Sequence, residues 1–140
     1  MAVNRVFTWE IDVRFRDLDG RGHVNNAVYF TYFEQGRFRF YNEVLHKRNL
    51  SEIPFILAST GCNFIRPITL EDRPLLKLRV KEIGSKSIAC EYRLVSLSDA
   101  AVVYATGESV QVCYDYRKKA TILVPKEIKD RFSEYLKSDA

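Results

Sequence analysis

The sequence predicts an α+β protein in which one antiparallel β-sheet packs against a single long helix. Three observations predict this class. An alternating strand pattern opens the chain, a helical pattern follows it, and four further strand patterns come in succession with short turns between them. Short connections join antiparallel neighbours, so the strands should form one sheet. A sheet with one buried face needs a covering element, and the long helix can supply it.

The first strand pattern runs over residues 7–15, where apolar side chains alternate with Thr, Glu, Asp and Arg. A period of two predicts a strand with one buried face. A polar turn follows at residues 17–22, and Asn25 or Asn26 suits the N-cap of a helix. The helix then carries a broad apolar band: Tyr29, Phe30, Phe33, Phe38, Phe40, Tyr41 and Val44. This band is too wide for a surface helix, so we expect the sheet to enclose it. Gly36 predicts a close approach of a neighbouring element.

Four strand patterns and a short helix complete the chain. The second strand is indicated by the alternation of Ile56, Ala58, Thr60, Cys62 and Phe64, which ends at Pro67. Leu76, Leu78 and Val80 mark the third strand, and Ile88, Cys90, Tyr92 and Leu94 mark the fourth. The fifth strand runs over residues 102–114. Pro125 should open a C-terminal helix that buries Ile128, Phe132 and Leu136. No repeat or linker interrupts this order, which predicts a single domain over residues 1–140.

Composition excludes several classes of protein. The three cysteines are widely spaced and form no C-x-x-C pair, which argues against a disulfide framework or a zinc site. No apolar run reaches the roughly 20 residues that a membrane span needs, and residues 1–15 lack the pattern of a secretory signal. We therefore expect a cytoplasmic protein that does not enter a membrane. The net charge of +4 comes from basic residues interleaved with acidic ones, so we expect no nucleic-acid partner.

Familiar catalytic signatures are also missing. The segment from Gly107 to Gln111 lacks the final glycine of a nucleophile elbow, and Asn25 stands where a dinucleotide fingerprint needs its third glycine. His23 and His46 are far apart and lack clustered carboxylate partners. We expect neither a metal nor an organic cofactor.

The segment between the first strand and the helix carries the remaining polar motif. It contains Asp19, then His23-Val24-Asn25-Asn26, then Tyr29, and a helical Glu34-x-x-Arg37. This pattern resembles hotdog-fold thioesterases of the 4-hydroxybenzoyl-CoA thioesterase type, in particular their acyl-CoA branch. The similarity extends to the family's Val-Pro-x-Glu-Ile near the C-terminus, which is present at residues 124–128, and it covers essentially the whole chain.

The resemblance implies a fold and a function. The fold is an antiparallel sheet wrapped around one long central helix, with a short C-terminal helix. The function is hydrolysis of an acyl-CoA to a free acid and CoA by a homodimer or homotetramer. The implied catalytic residues are Asp19, Asn26 and His23. The implied substrate-binding residues are Asn25, Tyr29, Lys86 and Ser87, of which the last two lie near the CoA phosphates in this family.

The chemistry of the segment agrees with this function. A helix N-terminus offers unpaired N–H groups and about half a positive charge, which suits a developing oxyanion. The Asp19 carboxylate has an ordinary pKa of about 3.9, so two routes are open. Asp19 attacks the thioester as a nucleophile, or an apolar pocket raises its pKa and it acts as a general base on water.

Simpler interpretations stay open for each residue. Asp17 and Asp19 suit an Asx-turn, Asn25 and Asn26 suit plain helix caps, and His23 suits a structural position at the helix start. The i, i+3 spacing of Glu34 and Arg37 predicts an ion pair, within the helix or across a subunit boundary, instead of a catalytic role. Lys86 and Ser87 also fit a solvated hairpin end. The alternative function is a non-catalytic domain that binds CoA esters.

Overall fold

Within residues 4–137, the long helix predicted after the first strand is present, together with six β-strands and a C-terminal helix. A computed structural model describes residues 4–137. In chain order its elements are β1 (Phe7–Glu10), α1 (Asn26–Leu45), β2 (Phe55–Phe64), β3 (Pro74–Ile83), β4 (Ser87–Ser96), β5 (Val103–Asp115), β6 (Ala120–Thr121) and α2 (Lys126–Phe132). The predicted α+β class is confirmed. The extent of the domain stays a prediction, because residues 1–3 and 138–140 lie outside the described residues.

The strands form one antiparallel sheet in the order β1-β3-β4-β5-β2, and the short β6 pairs with the end of β5. Short turns join β3 to β4 and β4 to β5, as is usual for antiparallel neighbours. β1 and β2 therefore form the two edges. Helix α1 packs against both of these edge strands and against β3, so the sheet curves around the helix as predicted.

The side chains that β3 and β4 direct toward α1 are sealed from solvent. The alternation predicted for β3 and β4 is confirmed, because every inward position is at most 1% exposed: Leu76, Leu78, Val80, Ile88, Cys90, Tyr92 and Leu94. Phe33 and Phe40 of α1 are also fully buried. Each such side chain contributes about 1.5–3 kcal/mol of hydrophobic stabilisation.

Two glycines let other elements pack very closely against them. A side chain at Gly36 of α1 would overlap Leu76 of β3, which is the close approach predicted for this glycine. A side chain at Gly107 of β5 would overlap the Phe33 ring. Phe33 in turn stacks on Tyr92, with ring centroids 4.6 Å apart. The helix is thus held at a fixed height above the sheet.

The C-terminal helix packs at the far end of α1. Pro125 precedes α2 as predicted, and Ile128 and Phe132 are buried. The Phe132 ring lies 4.9 Å from the Phe40 ring of α1. Leu136 is half-buried against the same core. The two helices therefore share one hydrophobic core.

The first strand is shorter than predicted. β1 ends at Glu10, and the alternation that should bury Phe15 fails, because Phe15 is 80% exposed. A 3-10 turn begins at Phe15 instead. The cause is the Asp17 carboxylate, which accepts a hydrogen bond from the Arg14 backbone N–H at 3.0 Å and turns the chain back.

The predicted second strand is present as β2, but its alternation does not correspond to burial. Ile56 and Phe64 are 40% and 44% exposed instead of lying in the core. β2 pairs with β5 on one side, and within residues 4–137 no strand covers its other side. A bulge between Leu57 and Ser59 further disturbs the alternation. Because β2 is an edge strand, its pattern does not imply burial within one protomer.

We predict that Gly107→Ala destabilises the fold, because its methyl group overlaps the buried Phe33 ring. Overpacking of this kind costs about 1–3 kcal/mol. Gly61→Ala is the matched control, since a Cβ on Gly61 meets no atom within 4 Å. Urea unfolding measures both variants. Equal free energies of unfolding for Gly107→Ala and the wild type would contradict the packing described.

Candidate active site

A tight loop at residues 18–24 separates the first strand from α1 and contains the predicted catalytic carboxylate. Leu18 and Val24 face each other in an antiparallel bridge, and the Asp19 N–H donates to the His23 carbonyl at 2.7 Å. Gly22 has a φ of 80°, a conformation that glycine adopts without strain. The loop is therefore a closed turn. The bridge between Leu18 and Val24 is not predicted by the sequence pattern, because the helix pattern follows it directly.

This loop is fixed to the segment that leads into β3. The Val24 N–H donates to the Ile68 carbonyl at 2.8 Å, and His23 forms an antiparallel bridge with Thr69. Backbone groups on both sides of the loop are thus paired. The position of Asp19 relative to the sheet is set by these contacts.

Asp17 is buried, and its carboxylate joins this loop to the helix. It accepts hydrogen bonds from the Arg14 backbone N–H at 3.0 Å, the Arg14 guanidinium at 3.2 Å and the Tyr32 hydroxyl at 2.8 Å. Burial would raise the pKa of Asp17, but these hydrogen bonds outweigh it and hold the pKa below its usual value. Asp17 is thus a structural carboxylate.

Tyr32 is a residue of the site that the motif did not single out. Its hydroxyl holds Asp17, and it lies one helical turn after Tyr29 on the buried face of α1. A buried tyrosine hydroxyl needs a hydrogen-bond partner. The acidic residues just before the helix could have indicated that Tyr32 finds its partner there.

The helix begins with an N-cap and a free donor. The Asn25 side chain accepts from the Ala27 N–H at 2.9 Å, so of the two residues predicted as possible caps Asn25 is the N-cap. Asn26 is the first residue of α1, and its N–H has no acceptor within residues 4–137. Because a helix N-terminus carries partial positive charge, the Asn26 N–H is suited to a carbonyl oxygen that gains negative charge.

The Asp19 carboxylate is exposed, and one of its oxygens is engaged. Oδ1 accepts from the Arg21 N–H at 2.8 Å and from the His23 N–H at 3.1 Å. These backbone hydrogen bonds lower the pKa of Asp19, so the carboxylate is ionised at neutral pH. Oδ2 has no hydrogen bond within the part of the chain described. Asp19 can therefore stabilise the turn through Oδ1 and still present Oδ2 to a substrate.

His23 and Tyr29 differ in how close they come to this carboxylate. His23 contacts Asp19 through its backbone N–H, and its half-buried ring makes no hydrogen bond among the described residues. Tyr29 is 3% exposed and packs edge-to-face on Phe64 at 4.9 Å. Within one protomer Tyr29 is a core residue, while Phe64 belongs to the exposed edge strand.

Lys86 and Ser87 lie at the other end of the sheet. They follow the turn after β3, where the Lys86 Nζ is 3.5 Å from the Thr121 hydroxyl. Asp19 lies beside the segment before β3, and a strand of 10 residues spans roughly 33 Å. One protomer therefore does not bring Lys86 or Ser87 to Asp19.

Glu34 and Arg37 do not form the ion pair that their spacing predicts. Glu34 is exposed, whereas Arg37 is buried and donates from Nη1 to the Tyr92 hydroxyl at 3.2 Å. The two residues are neighbours on α1, but the Arg37 side chain is directed to Tyr92 of the sheet while the Glu34 side chain lies in solvent. The ion-pair prediction is wrong for the single protomer.

No group of three His, Cys, Asp or Glu side chains within residues 4–137 could hold a metal ion. In the same range, neither helix has the length and apolar character needed to cross a membrane. Cys62, Cys90 and Cys113 are free thiols. The expectation that no metal or cofactor is used stays a prediction.

Three comparisons relate the chain to known proteins. The family model described as the thioesterase-like superfamily matches residues 13–132. The long-chain acyl-CoA thioesterase FadM of Escherichia coli is 23% identical over 130 residues, which are 91% of this chain and 98% of FadM. The Bacillus subtilis protein YsmA is 25% identical over 83 residues, and this match spans 59% of this chain and 56% of YsmA.

A solved structure is also similar over most of the chain. The thioesterase from Thermus thermophilus, complexed with coenzyme A and Zn, is 31% identical and superposes with a TM-score of 0.79. The match covers 89% of this chain and 95% of that protein. The residues matched to the family include the whole of the loop at 18–24 and α1.

We predict that Asp17→Asn destabilises the fold at neutral pH by about 1–3 kcal/mol, because an amide cannot accept from all three donors. The folded pKa of Asp17 is lowered, so its stabilisation is present above the unfolded pKa of about 3.9 and is lost as pH falls through the folded value. The variant and the wild type should therefore converge in acid.

Urea unfolding at about pH 7 and about pH 2 measures this difference. Asp12→Asn, which changes an exposed carboxylate in the same segment, should leave stability almost unchanged. Equal stability of Asp17→Asn and the wild type at neutral pH would refute the structural role of Asp17.

Proposed function

Because this chain belongs to the thioesterase-like superfamily, and so is a thioester hydrolase, we propose that it cleaves acyl-CoA to a free acid and CoA. Its fold is the hotdog fold, shared with solved thioesterases. The names of FadM and of the coenzyme A complex support the choice of substrate. We further assign it to the 4-hydroxybenzoyl-CoA thioesterase type, on the motif from Asp19 to Arg37.

One observation carries the proposed mechanism. The short segment from Asp19 to Asn26 has an unengaged carboxylate oxygen at one end and an unengaged helix N–H at the other. Thioester hydrolysis needs these two groups: an oxygen that attacks or activates water, and a donor for the carbonyl oxygen. A thioester has a good leaving group, so a serine triad is not required.

Two routes use Asp19 differently. In the nucleophilic route, Oδ2 attacks the carbonyl carbon, the C–S bond breaks, CoA leaves as a thiolate, and water then hydrolyses the mixed anhydride. In the general-base route, Asp19 takes a proton from the water that attacks the same carbon, the C–S bond breaks, and CoA leaves as a thiolate that takes up the proton. The lowered pKa makes Asp19 a weak base, which favours the nucleophilic route.

The other motif residues take supporting roles in this proposal. His23 orients Asp19 through its backbone N–H, and Asn25 keeps the helix start in place by capping it. Tyr29 forms a wall of the acyl site together with Phe64. Lys86 and Ser87 bind the CoA phosphates of a substrate held by the other subunit, since they are remote from Asp19 within one protomer.

The proposed assembly is a homodimer or a homotetramer. β2 is an edge strand of 10 residues, and it contains no charged side chain. Natural proteins protect long exposed edges with charges, prolines or bulges, and the one bulge in β2 leaves the stretch from Thr60 to Phe64 regular. A second copy would cover this edge and bring Lys86 and Ser87 to the partner site. The cytoplasmic location expected above is part of the same proposal.

A domain that binds CoA esters without hydrolysis is the alternative function. It would keep the free N–H of Asn26 and would have no use for the free oxygen of Asp19. Thiol release from a panel of acyl-CoA esters separates the two functions, because a binding domain releases none.

We predict that Asp19→Asn lowers kcat by roughly 10³ with a much smaller change in KM, because the amide removes both the nucleophile and the base. Asp115→Asn is the matched control. Asp115 is another turn carboxylate, and its Oδ1 accepts from the Arg117 and Lys118 N–H groups.

Thiol release on the best acyl-CoA measures both variants, after their thermal transitions show that they are folded. If Asp19→Asn keeps more than about a tenth of the wild-type kcat, the loss is under 1.4 kcal/mol and Asp19 is a turn residue only.

We predict that the active form is at least a dimer, because the edge of β2 needs a partner and the site needs Lys86 and Ser87 from another subunit. Sedimentation at the enzyme concentration used in the assay measures the assembly. A fully active monomer would disprove this part of the proposal.

A further inference from the structure

One face of α1 changes from polar to apolar and back to polar along its length. Five residues at i, i+4, i+7, i+11 and i+15 share this face of the helix: Asn26, Phe30, Phe33, Arg37 and Tyr41. The N–H proposed for the thioester lies at the start, two aromatic rings follow, and two polar groups lie at the far end. From Asn26 to Arg37 the helix rises roughly 16 Å.

The polar end of this face borders a large cleft. The cleft has a volume of about 820 Å³ and is open to solvent. Arg37 and Tyr41 contribute to its lining, together with apolar side chains that include Trp9, Phe38 and Phe55. The volume and the aromatic lining are those of ligand sites in proteins.

Arg37 is a buried cation without a counter-charge. It is 7% exposed, and none of the ion pairs within residues 4–137 includes it. Of its five N–H donors, the one used is on Nη1, which bonds the Tyr92 hydroxyl at 3.2 Å. Buried charges are normally paired, so the unused donors of Arg37 call for an anionic acceptor.

Tyr41 is a second buried donor without a partner. It is 6% exposed, and its hydroxyl has no hydrogen bond in the described residues. Burial raises the pKa of Tyr41 well above its usual value, so the hydroxyl keeps its proton. Two unsatisfied donors one helical turn apart are matched by a group with two acceptor oxygens, such as a carboxylate.

Acidic residues also border the cleft, but they do not satisfy these donors. Glu10 pairs with Arg73 at 2.8 Å, and Asp12 and Glu34 are exposed. Exposed charges are screened by solvent, whereas Arg37 lies in a low-dielectric environment. The attraction of Arg37 for an anion is therefore stronger than the repulsion from the exposed carboxylates at the mouth of the cleft.

We propose that this cleft binds the far end of the acyl group and that Arg37 and Tyr41 bind a carboxylate there. The substrate class is then an ω-carboxyacyl-CoA, the mono-thioester of a long dicarboxylic acid. The apolar middle of the acyl chain would lie over Phe30 and Phe38, which are half-buried side chains of α1, and Phe38 also lines the cleft. The inference rests on the proposed acyl-CoA hydrolysis and specifies its substrate.

The first experiment compares kcat/KM for a saturated acyl-CoA and for the ω-carboxyacyl-CoA of equal length. The wild type should prefer the ω-carboxy substrate. Arg37→Met should lower this preference by about 10- to 100-fold, the range for a lost charge-assisted hydrogen bond, and Tyr41→Phe should lower it by several-fold. Tyr135→Phe, which changes a buried tyrosine outside the cleft, should leave the preference unchanged.

The second experiment needs no hydrolysis. The free dicarboxylic acid should raise the thermal transition of the wild type more than the monocarboxylic acid of equal length, and Tyr41→Phe should reduce this difference. Tyr41→Phe removes an unpaired hydroxyl, so its fold is expected to survive even if Arg37→Met does not fold.

Several outcomes would overturn the inference. A wild type without preference for either substrate or either acid would do so. Equal losses of kcat/KM on both substrates in the two variants would also overturn it. A third such outcome is an Arg37→Met variant whose oligomer dissociates while its substrate preference stays intact, since a partner carboxylate would then neutralise Arg37. A protein that binds the diacid through Tyr41 but releases thiol from no acyl-CoA would instead disprove the proposed function.

Discussion

The Asp17 carboxylate connects the end of the first strand region, the loop at 18–24 and helix α1. Arg14 and Tyr32 donate to the Asp17 side chain from different elements. The Asn25 N–H donates to the backbone carbonyl of Asp17 at 2.9 Å. A buried carboxylate is stable only when such donors satisfy it, so the three elements must meet at this point. The hydrogen bonds to Asp17 thus fix where α1 begins and where Asp19 lies. The candidate site therefore depends on a residue that has no part in its chemistry.

Two carboxylates two positions apart have different roles because their environments differ. Asp17 is buried, and donors engage both of its oxygens. Asp19 is exposed, and one of its oxygens is engaged by backbone N–H groups. Both pKa values are lowered, so both groups are ionised at neutral pH. The free oxygen of Asp19 distinguishes it as the residue available to a substrate. At the other end of α1, among the described residues, Arg37 uses one of its five N–H donors and the Tyr41 hydroxyl has no acceptor.

Much of this arrangement could be predicted from the sequence. The alternation of Leu76, Leu78 and Val80 shows burial directly, and a glycine inside a helix, Gly36, signals a close approach. The helix cap at Asn25 was also recognisable from its residue type. The early end of β1 has a local cause, which is the turn that Asp17 makes with the Arg14 N–H. The other differences arise because periodicity carries no information about tertiary partners. Ile56 follows the pattern of a buried residue but lies on an edge strand. The i, i+3 spacing of Glu34 and Arg37 could not indicate that Arg37 bonds to Tyr92.

The pH dependence of kcat/KM on an acyl-CoA tests the central claim most directly. That claim is that Asp19 reacts as a carboxylate whose pKa is lowered by the Arg21 and His23 N–H groups. The reactive form is ionised, so it is populated above the lowered pKa and is lost as pH falls through it. The account predicts a flat profile between about pH 5 and pH 8, with an acid limb below the ordinary aspartate value of about 3.9. An acid limb centred above about pH 5 would contradict it, because such a limb requires a carboxylate with a raised pKa.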